Sequence, residues 1–552
     1  MAQIDGATLI ARSLKQQGVE VMFGIVGFPV FGIAFAAQRE GIKYVGMRNE
    51  QSASYAAAAV GYLTGRPGAC LVVSGPGMIH AIAGLSNAWA NCWPMIVIGG
   101  ASITYQDGQG AFQEAPQVES ARLYTKWTAR PDSALRIPAF IEQAVRTSIY
   151  GRPGAVYLDF PDDLIAAKVD EAEVSFPARC PEPPRPHAEP SEIARAIELL
   201  RTAERPLVIV GKGAAYSRAE DEVRAFIEAT QLPFLSSPMG KGVVPDEHPL
   251  SVAPGRALAL GEADVVVLLG ARLNWIMHFG LPPRFADNVK TIQIDIAAEE
   301  IGRNVPAAVG LVGDLKSIVG QLNDALEKTP FKFPADAPWR ATLNEKVETN
   351  KQSVRAMMDD ESVPMGYYRV FREIQEQAPP GSIIQAEGAQ TMDISRSVLM
   401  HDEPRLRLDA GSFGTMGVGL GQAIAAAVVH PDKQVICVEG DSAFGFSGME
   451  VETACRYKLN IVFVIVNNNS IGGGIKELPE DRFAAPPSGY TIDAGYEKMI
   501  EGFGGKGYKV RTPEEFSAAF KQALDDEMPS IINVLIDPSA RAKPQKFAWL
   551  TQ

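Results

Sequence analysis

The feature that most restricts the fold is a pair of apolar runs that each stop at polar residues. In VICVEGDS the run ends at Gly440-Asp441, and in NIVFVIVNNNS it ends at Asn467-Asn468-Asn469, so that Asp441 and Asn468 stand 27 positions apart. That interval holds one helix and the next strand, which with the strand before it completes one βαβ unit. In a parallel βαβ unit both polar ends then lie at the carboxyl edge of the sheet, where open α/β sheets bind ligands. A carboxylate oxygen of Asp441, the amide carbonyl of Asn468 and a backbone carbonyl at Ser470 suit a hard cation such as Mg²⁺ that shares its shell with phosphate oxygens. The helix start after Ser442 adds free N–H groups for the same phosphates. An isolated Gly-Asp is an ordinary turn; the second polar end, one unit later, is what points to metal and diphosphate.

The same alternation runs along the 552 residues, and at roughly 150 residues per domain there is room for three or four domains. Up to about residue 165, strand-like runs (VEVMFGIVG, IKYVGMRNE, GACLVVS, MIVIGGA, AVYLDFP) are separated by Ala-rich helical stretches such as QSASYAAAAVGYL. The proline-rich stretch 176–190 predicts an extended connector. A second α/β region follows Ser191, and the polar stretch 327–364 reads as another connection with some helix. Alternation resumes with SIIQAEGA, KQVICVEGDS, NIVFVIVNNN and SIINVLIDP. The expected fold class is α/β, with three doubly wound parallel-sheet domains at 1–170, 190–328 and 365–538. The tail 539–552 reads as a lid or a packed arm.

Composition narrows the partners. The net charge of −13 repels phosphate backbones and anionic lipid, so neither nucleic acid nor a membrane surface is expected. No apolar stretch approaches the ~20 residues of a spanning helix. The five cysteines are scattered without a C-x-x-C pair, which predicts no disulfide framework and no zinc site. The N-terminal segment lacks the apolar core of a signal peptide, so a cytoplasmic protein is expected.

The Gly-Asp-Ser…Asn-Asn spacing resembles the fingerprint of thiamine diphosphate enzymes. Three α/β domains in the order pyrimidine-binding, middle and diphosphate-binding resemble their decarboxylase branch. YVGMRNEQSASYAAAA places Glu50 where a strand gives way to a helix. Alone, Glu50 reads as a first-turn carboxylate facing the helix dipole; the resemblance implies that it reaches the aminopyrimidine ring. There it would favour the imino tautomer that removes the thiazolium proton, and the cofactor then serves as electron sink for a carbanion. GSFGTMGVGLG implies Met416 as the bulky support under a bent cofactor and Gly414 as the carbonyl facing its amino group. The resemblance also puts Phe28, Gln390, Gly440, Ser442, Ala443 and Ile471 on the cofactor, with Asp441, Asn468 and Ser470 on Mg²⁺. A dinucleotide fingerprint is rejected in the same segment, because Gln422 occupies the position of its third glycine.

RNEQ, CLVVSGPGMIHA, NCWPMIVIGG, GAFQEAPQVE, GRPGAVYLDFP, GARLNW, VEGDSAFGFSGME and FGGKGY together resemble the 2-hydroxyacyl-CoA lyases and the oxalyl-CoA decarboxylases. Both take acyl-CoA and pass through the same formyl-CoA adduct; the lyase releases an aldehyde or ketone, the decarboxylase carbon dioxide. The decarboxylases carry Tyr-Glu where this chain has Phe112-Gln113 and an APGFLN-like loop where it has Gly75 to His80, and the ending FAWLTQ is lyase-like. The expected activity is therefore the lyase, with oxalyl-CoA decarboxylase as the alternative. A non-catalytic thiamine-fold protein is opposed by the presence of Glu50, Asp441 and Asn468. The resemblance implies Gln113 and Glu114 at the reacting oxygens, Phe112 against substrate and Arg396 on the CoA phosphates. His80 reads equally as proton carrier or satisfied helix residue. Lys212, Arg272, Asp295 and Asp314 fall where the decarboxylase's middle domain holds ADP, and a homodimer or homotetramer with shared sites is implied. The chain departs from its relatives at Phe28, Gln390 and Gly472, where they carry isoleucine, asparagine and tyrosine, so the shape of the acyl pocket is not fixed by the resemblance.

Overall fold

The computed structural model describes residues 2–543; the lyase-like ending FAWLTQ lies outside the described residues. Three parallel sheets form as expected. The first has six strands in spatial order Lys43–Gly46, Val21–Gly24, Gly68–Val72, Met95–Ala101, Ala155–Pro161, Trp127–Ala129. The second has five: Phe234–Ser236, Pro206–Val210, Val265–Leu269, Lys290–Asp295, Ala307–Val312. The third has six: Arg407–Asp409, Ile383–Glu387, Val435–Gly440, Ile461–Asn467, Ser530–Leu535, Lys506–Val510. A short antiparallel pair, Gln3–Asp5 with Lys168–Asp170, ties the chain start to the end of the first unit.

The central strands are runs such as VVVLL and IVFVIVN, buried along their whole length, because helices cover both faces of each sheet. In every sheet the chain builds one strand, steps outward on one side, then returns to build on the other side. The resulting switch points lie between Val21–Gly24 and Gly68–Val72, between Pro206–Val210 and Val265–Leu269, and between Ile383–Glu387 and Val435–Gly440. The loops that part at a switch point leave a crevice at the strand carboxyl ends.

The connector carries no helix or strand from Val174 to Glu189, whereas the 327–364 stretch is mostly one long helix, Pro338–Met358. The first and third units meet through two Ala-rich helices, Glu50–Thr64 and Gly419–Val429, both buried nearly all round. Small residues make that approach possible: a Cβ on Gly421 would stand 2.6 Å from the carbonyl oxygen of Ser52.

Candidate active site

The third sheet builds the first half of the site. Strand Val435–Gly440 pairs with Ile461–Asn467 so that Gly440 lies opposite Val466, which brings Asp441 and Asn468 to one edge. Asp441 is buried and opens helix Asp441–Ser447. Its carboxylate accepts the N–H of Ser442 at 2.9 Å and of Ser470 at 3.1 Å. The Ser470 N–H also donates to Asn468 Oδ1 at 3.1 Å, so the two side-chain oxygens converge on the same space. The Asn468 amide is oriented by donating to the Tyr367 hydroxyl at 3.1 Å and the Gly472 carbonyl at 3.0 Å. Burial pushes the Asp441 carboxyl up to about 7, partly offset by those N–H groups. Among the described residues no lysine or arginine pairs with it. A buried carboxylate beside an amide oxygen, lacking its own counter-charge, fits a divalent cation that brings phosphate oxygens with it. Ser442 Oγ bonds Tyr490 Oη at 3.1 Å, Ala443 is buried behind it, and Ile471 is exposed at the rim.

The loop with Gly414 and Met416 runs beside the same switch point, Gly414 open to solvent at φ +68°. It is held by a residue that the sequence reading passed over. Glu387, fully buried at its strand end, accepts the N–H of Gly417 and, at 2.6 Å, of Gly419. Glu439, its cross-strand neighbour, is buried too. Burial raises both carboxyls, and two buried carboxyls side by side do not both ionise; the N–H donors on Glu387 offset part of its rise and make it the easier of the two to ionise. Gln390, in the first turn of helix Ala389–Val398, accepts the N–H of Ala542 at 2.7 Å, which ties the start of the tail to this helix.

The first unit supplies the second half. Glu50 is the first residue of its helix, capped by Asn49, and its Oε2 lies 2.9 Å from His80 Nδ1 on helix Pro76–Asn91. Phe28 and Phe112 are exposed and meet edge to face, ring centroids 6.4 Å apart. Gln113, in left-handed backbone at φ +56°, accepts from Ser74 Oγ at 3.4 Å. Glu114 turns back on its own loop, accepting the N–H groups of Gly108, Gly110 and Ala111, which hold its carboxyl below the usual range. Arg396 is shared between Asp393 at 2.8 Å and buried Asp409 at 3.2 Å. Among the described residues no bond links Glu50 to the Asp441 edge of the same chain.

The middle unit opens a cavity of about 590 Å³ beside its switch point, bounded by Trp89, Lys126, Arg152, Arg272, Asp295 and Arg303 among others. Arg272 and Asp295 thus line it. Lys212 lies in a smaller neighbouring hollow, bonded to Asn91 Oδ1 at 3.1 Å and lowered to about 7 by burial. Asp314 caps helix Leu315–Lys328 and pairs with Arg185.

Comparison with known proteins fits this geometry. Residues 4–120, 193–322 and 387–534 match, in turn, the N-terminal TPP binding, central and C-terminal TPP binding domains of thiamine pyrophosphate enzymes. The chain is 54% identical to 2-hydroxyacyl-CoA lyase 1 of Mus musculus, over all of this chain and 97% of that protein. It is 44% identical to the 2-hydroxyacyl-CoA lyase of Arabidopsis thaliana, over 98% and 97% of the two chains. Oxalyl-CoA decarboxylase of Escherichia coli (strain K12) is 41% identical over 97% and 95%. With all three domains matched and likeness spanning the whole chain, the protein belongs to the thiamine pyrophosphate enzymes, in the family of the 2-hydroxyacyl-CoA lyases.

Proposed function

We propose that the protein is a carbon–carbon lyase, dependent on thiamine diphosphate and Mg²⁺, that cleaves a 2-hydroxyacyl-CoA to formyl-CoA and an aldehyde or ketone. The observation that carries this reading is the full-length likeness to the lyases of Mus musculus and Arabidopsis thaliana, at 54% and 44% identity against 41% for the Escherichia coli decarboxylase, joined to a Phe112-Gln113 pair where the decarboxylases carry Tyr-Glu. Asp441, Asn468 and the Ser470 carbonyl would hold the cation and through it the diphosphate; Met416 and Gly414 would support the cofactor's bend. Gly440, Ser442, Ala443, Gln390, Ile471 and Phe28 complete its surroundings. When bound, thiamine diphosphate supplies an acidic thiazolium C–H and an electron sink.

The chain's own residues do the rest. Glu50 would hold a proton for the aminopyrimidine ring of the bound cofactor, and His80, 2.9 Å away, would orient that carboxyl and pass protons to solvent. Gln113 donates to the reacting oxygens, while Phe28 and Phe112 form an apolar wall against water. Glu114 holds the turn that presents Gln113. Arg396 contacts the CoA phosphates by giving up exposed Asp393 and keeping Asp409.

Among the described residues no bond joins Glu50 to Asp441 of the same chain, and exposed Phe28, Phe31, Phe446 and Met449 offer apolar area for a second copy. The reading therefore includes a homodimer at least, assembled as a homotetramer, with reaction centres between subunits. In the middle unit, Arg152, Arg272 and Lys126 suit the phosphates of ADP or a similar nucleotide, and Asp295 at a strand end suits ribose hydroxyls. Five free thiols fit a reducing cytoplasmic compartment. The test is a product assay with the two cofactors. Formyl-CoA plus a carbonyl product from a short 2-hydroxyacyl-CoA, with little carbon dioxide from oxalyl-CoA, is expected; the reverse pattern makes the protein the decarboxylase.

A further inference from the structure

Strand Lys43–Gly46, which leads into Glu50, is the edge strand of its sheet. The N–H and C=O groups on the outer side of such a strand have no ladder partner of their own. Here one short stretch of the third unit takes them. The Tyr457 hydroxyl accepts the Gly46 N–H at 2.8 Å, and Arg456 Nη2 donates to the Gly46 carbonyl at 2.7 Å. Two residues on, the Glu450 carboxylate accepts the Arg48 N–H at 3.1 Å and the Asn49 N–H at 3.0 Å. Glu450 is itself fully buried and fixed by the Thr453 hydroxyl at 2.7 Å. It opens helix Glu450–Arg456, two residues after the helix that begins at Asp441.

We propose that Glu450 is a positioning residue for proton transfer: it fixes the backbone of Arg48 and Asn49 and so sets where the Glu50 carboxyl points. This deepens the reading above and rests on Glu50 being the group that acts on the aminopyrimidine. Asn49 is the cap of the Glu50 helix, its side chain accepting the Gln51 N–H at 2.7 Å, so a shift of its backbone moves the first turn as a whole. A carboxylate is the only common side chain able to accept two adjacent N–H groups and a hydroxyl together without presenting a donor of its own. Glu450 also follows Asp441 in sequence, in the next helix, so on the reading above one stretch of chain supports the acid of one centre and carries the cation residue of the other.

The experiment uses the full chain with Glu450→Ala, Glu450→Gln and, as control, Glu50→Gln. Three quantities are read: amide hydrogen exchange over residues 44–52 without cofactor, thiamine diphosphate affinity with Mg²⁺, and deuterium exchange at thiazolium C2 of the bound cofactor. Glu450→Ala is expected to speed amide exchange locally, leave cofactor affinity unchanged, and slow C2 exchange on the order of 100-fold, the effect of a displacement near 1 Å at a reacting group. Glu450→Gln, which keeps one acceptor, restores most of the C2 rate. If Glu450→Ala does not fold, Glu450→Gln carries the test with a partial slowing expected. Unchanged C2 exchange in the folded variants, with only thermal stability reduced, overturns the proposal. If Glu50→Gln also keeps its C2 rate, the reading of Glu50 itself fails; if Glu50→Gln alone slows, only the role of Glu450 does.

Discussion

The two halves of the proposed reaction centre differ in finish. At the third sheet, Asp441, Asn468 and Ser470 are buried, mutually bonded and set by one βαβ unit. At the first sheet, Phe28 and Phe112 are exposed, and the His80 side chain is 53% exposed. The buried half is preorganised to hold a charged group; the open half is shaped to meet something brought to it. Binding strength and chemistry should therefore be separable by mutation, each residing in one half.

Asp441→Asn is the largest expected effect: cofactor binding and activity are both lost. The same variant reports on the cost of the buried carboxyl. Asp441 is raised from 3.8 to about 7, so in the cofactor-free protein the folded state keeps a proton that the unfolded chain releases. The associated stability is present below about pH 4 and is lost as pH rises through 7, by up to about 4 kcal/mol at ~1.4 kcal/mol per pH unit. Cofactor-free Asp441→Asn should thus match the parent near pH 4 and exceed it at pH 8 in thermal unfolding; equal stability at both would mean that the carboxyl is already compensated.

Glu50→Gln should lower turnover about 100- to 10,000-fold while calorimetry shows thiamine diphosphate binding intact. Loss of binding in this variant would break the division between the halves. Gln113→Ala is expected to cost about 100-fold in kcat with little change in CoA affinity, the pattern of a group that acts on developing charge. His80→Ala should be smallest, a modest fall in kcat and a shifted pH profile, because solvent can replace an exposed proton carrier.

The same division explains what was legible in the sequence. Parallel strands buried on both faces are continuous β-branched runs, so all three sheets and the Asp441–Asn468 edge could be read from pattern and spacing. Glu387 and Glu450 could not, because each acts on backbone N–H groups 30 or 402 positions away. A buried carboxylate of that kind looks in sequence like any strand-end or helix-start glutamate. Glu114 was legible as a residue but not in its direction: the left-handed Gln113 before it and the glycines at 108 and 110 turn it back into its own loop. The residues expected at a nucleotide divided similarly. Arg272 and Asp295 follow strand ends and line the cavity, whereas Asp314 begins a helix and caps it.

The central claim is that one reaction centre joins the buried half of one chain to the open half of another. It is tested most directly by co-assembling Glu50→Gln with Asp441→Asn, each inactive alone, and following formyl-CoA from a 2-hydroxyacyl-CoA. Random pairing leaves one intact centre in each mixed dimer, so recovery of about a quarter of the parent activity is predicted for a twofold assembly. No recovery, with mixed dimers demonstrated by native mass spectrometry, would contradict the account and place both halves of each centre within a single chain.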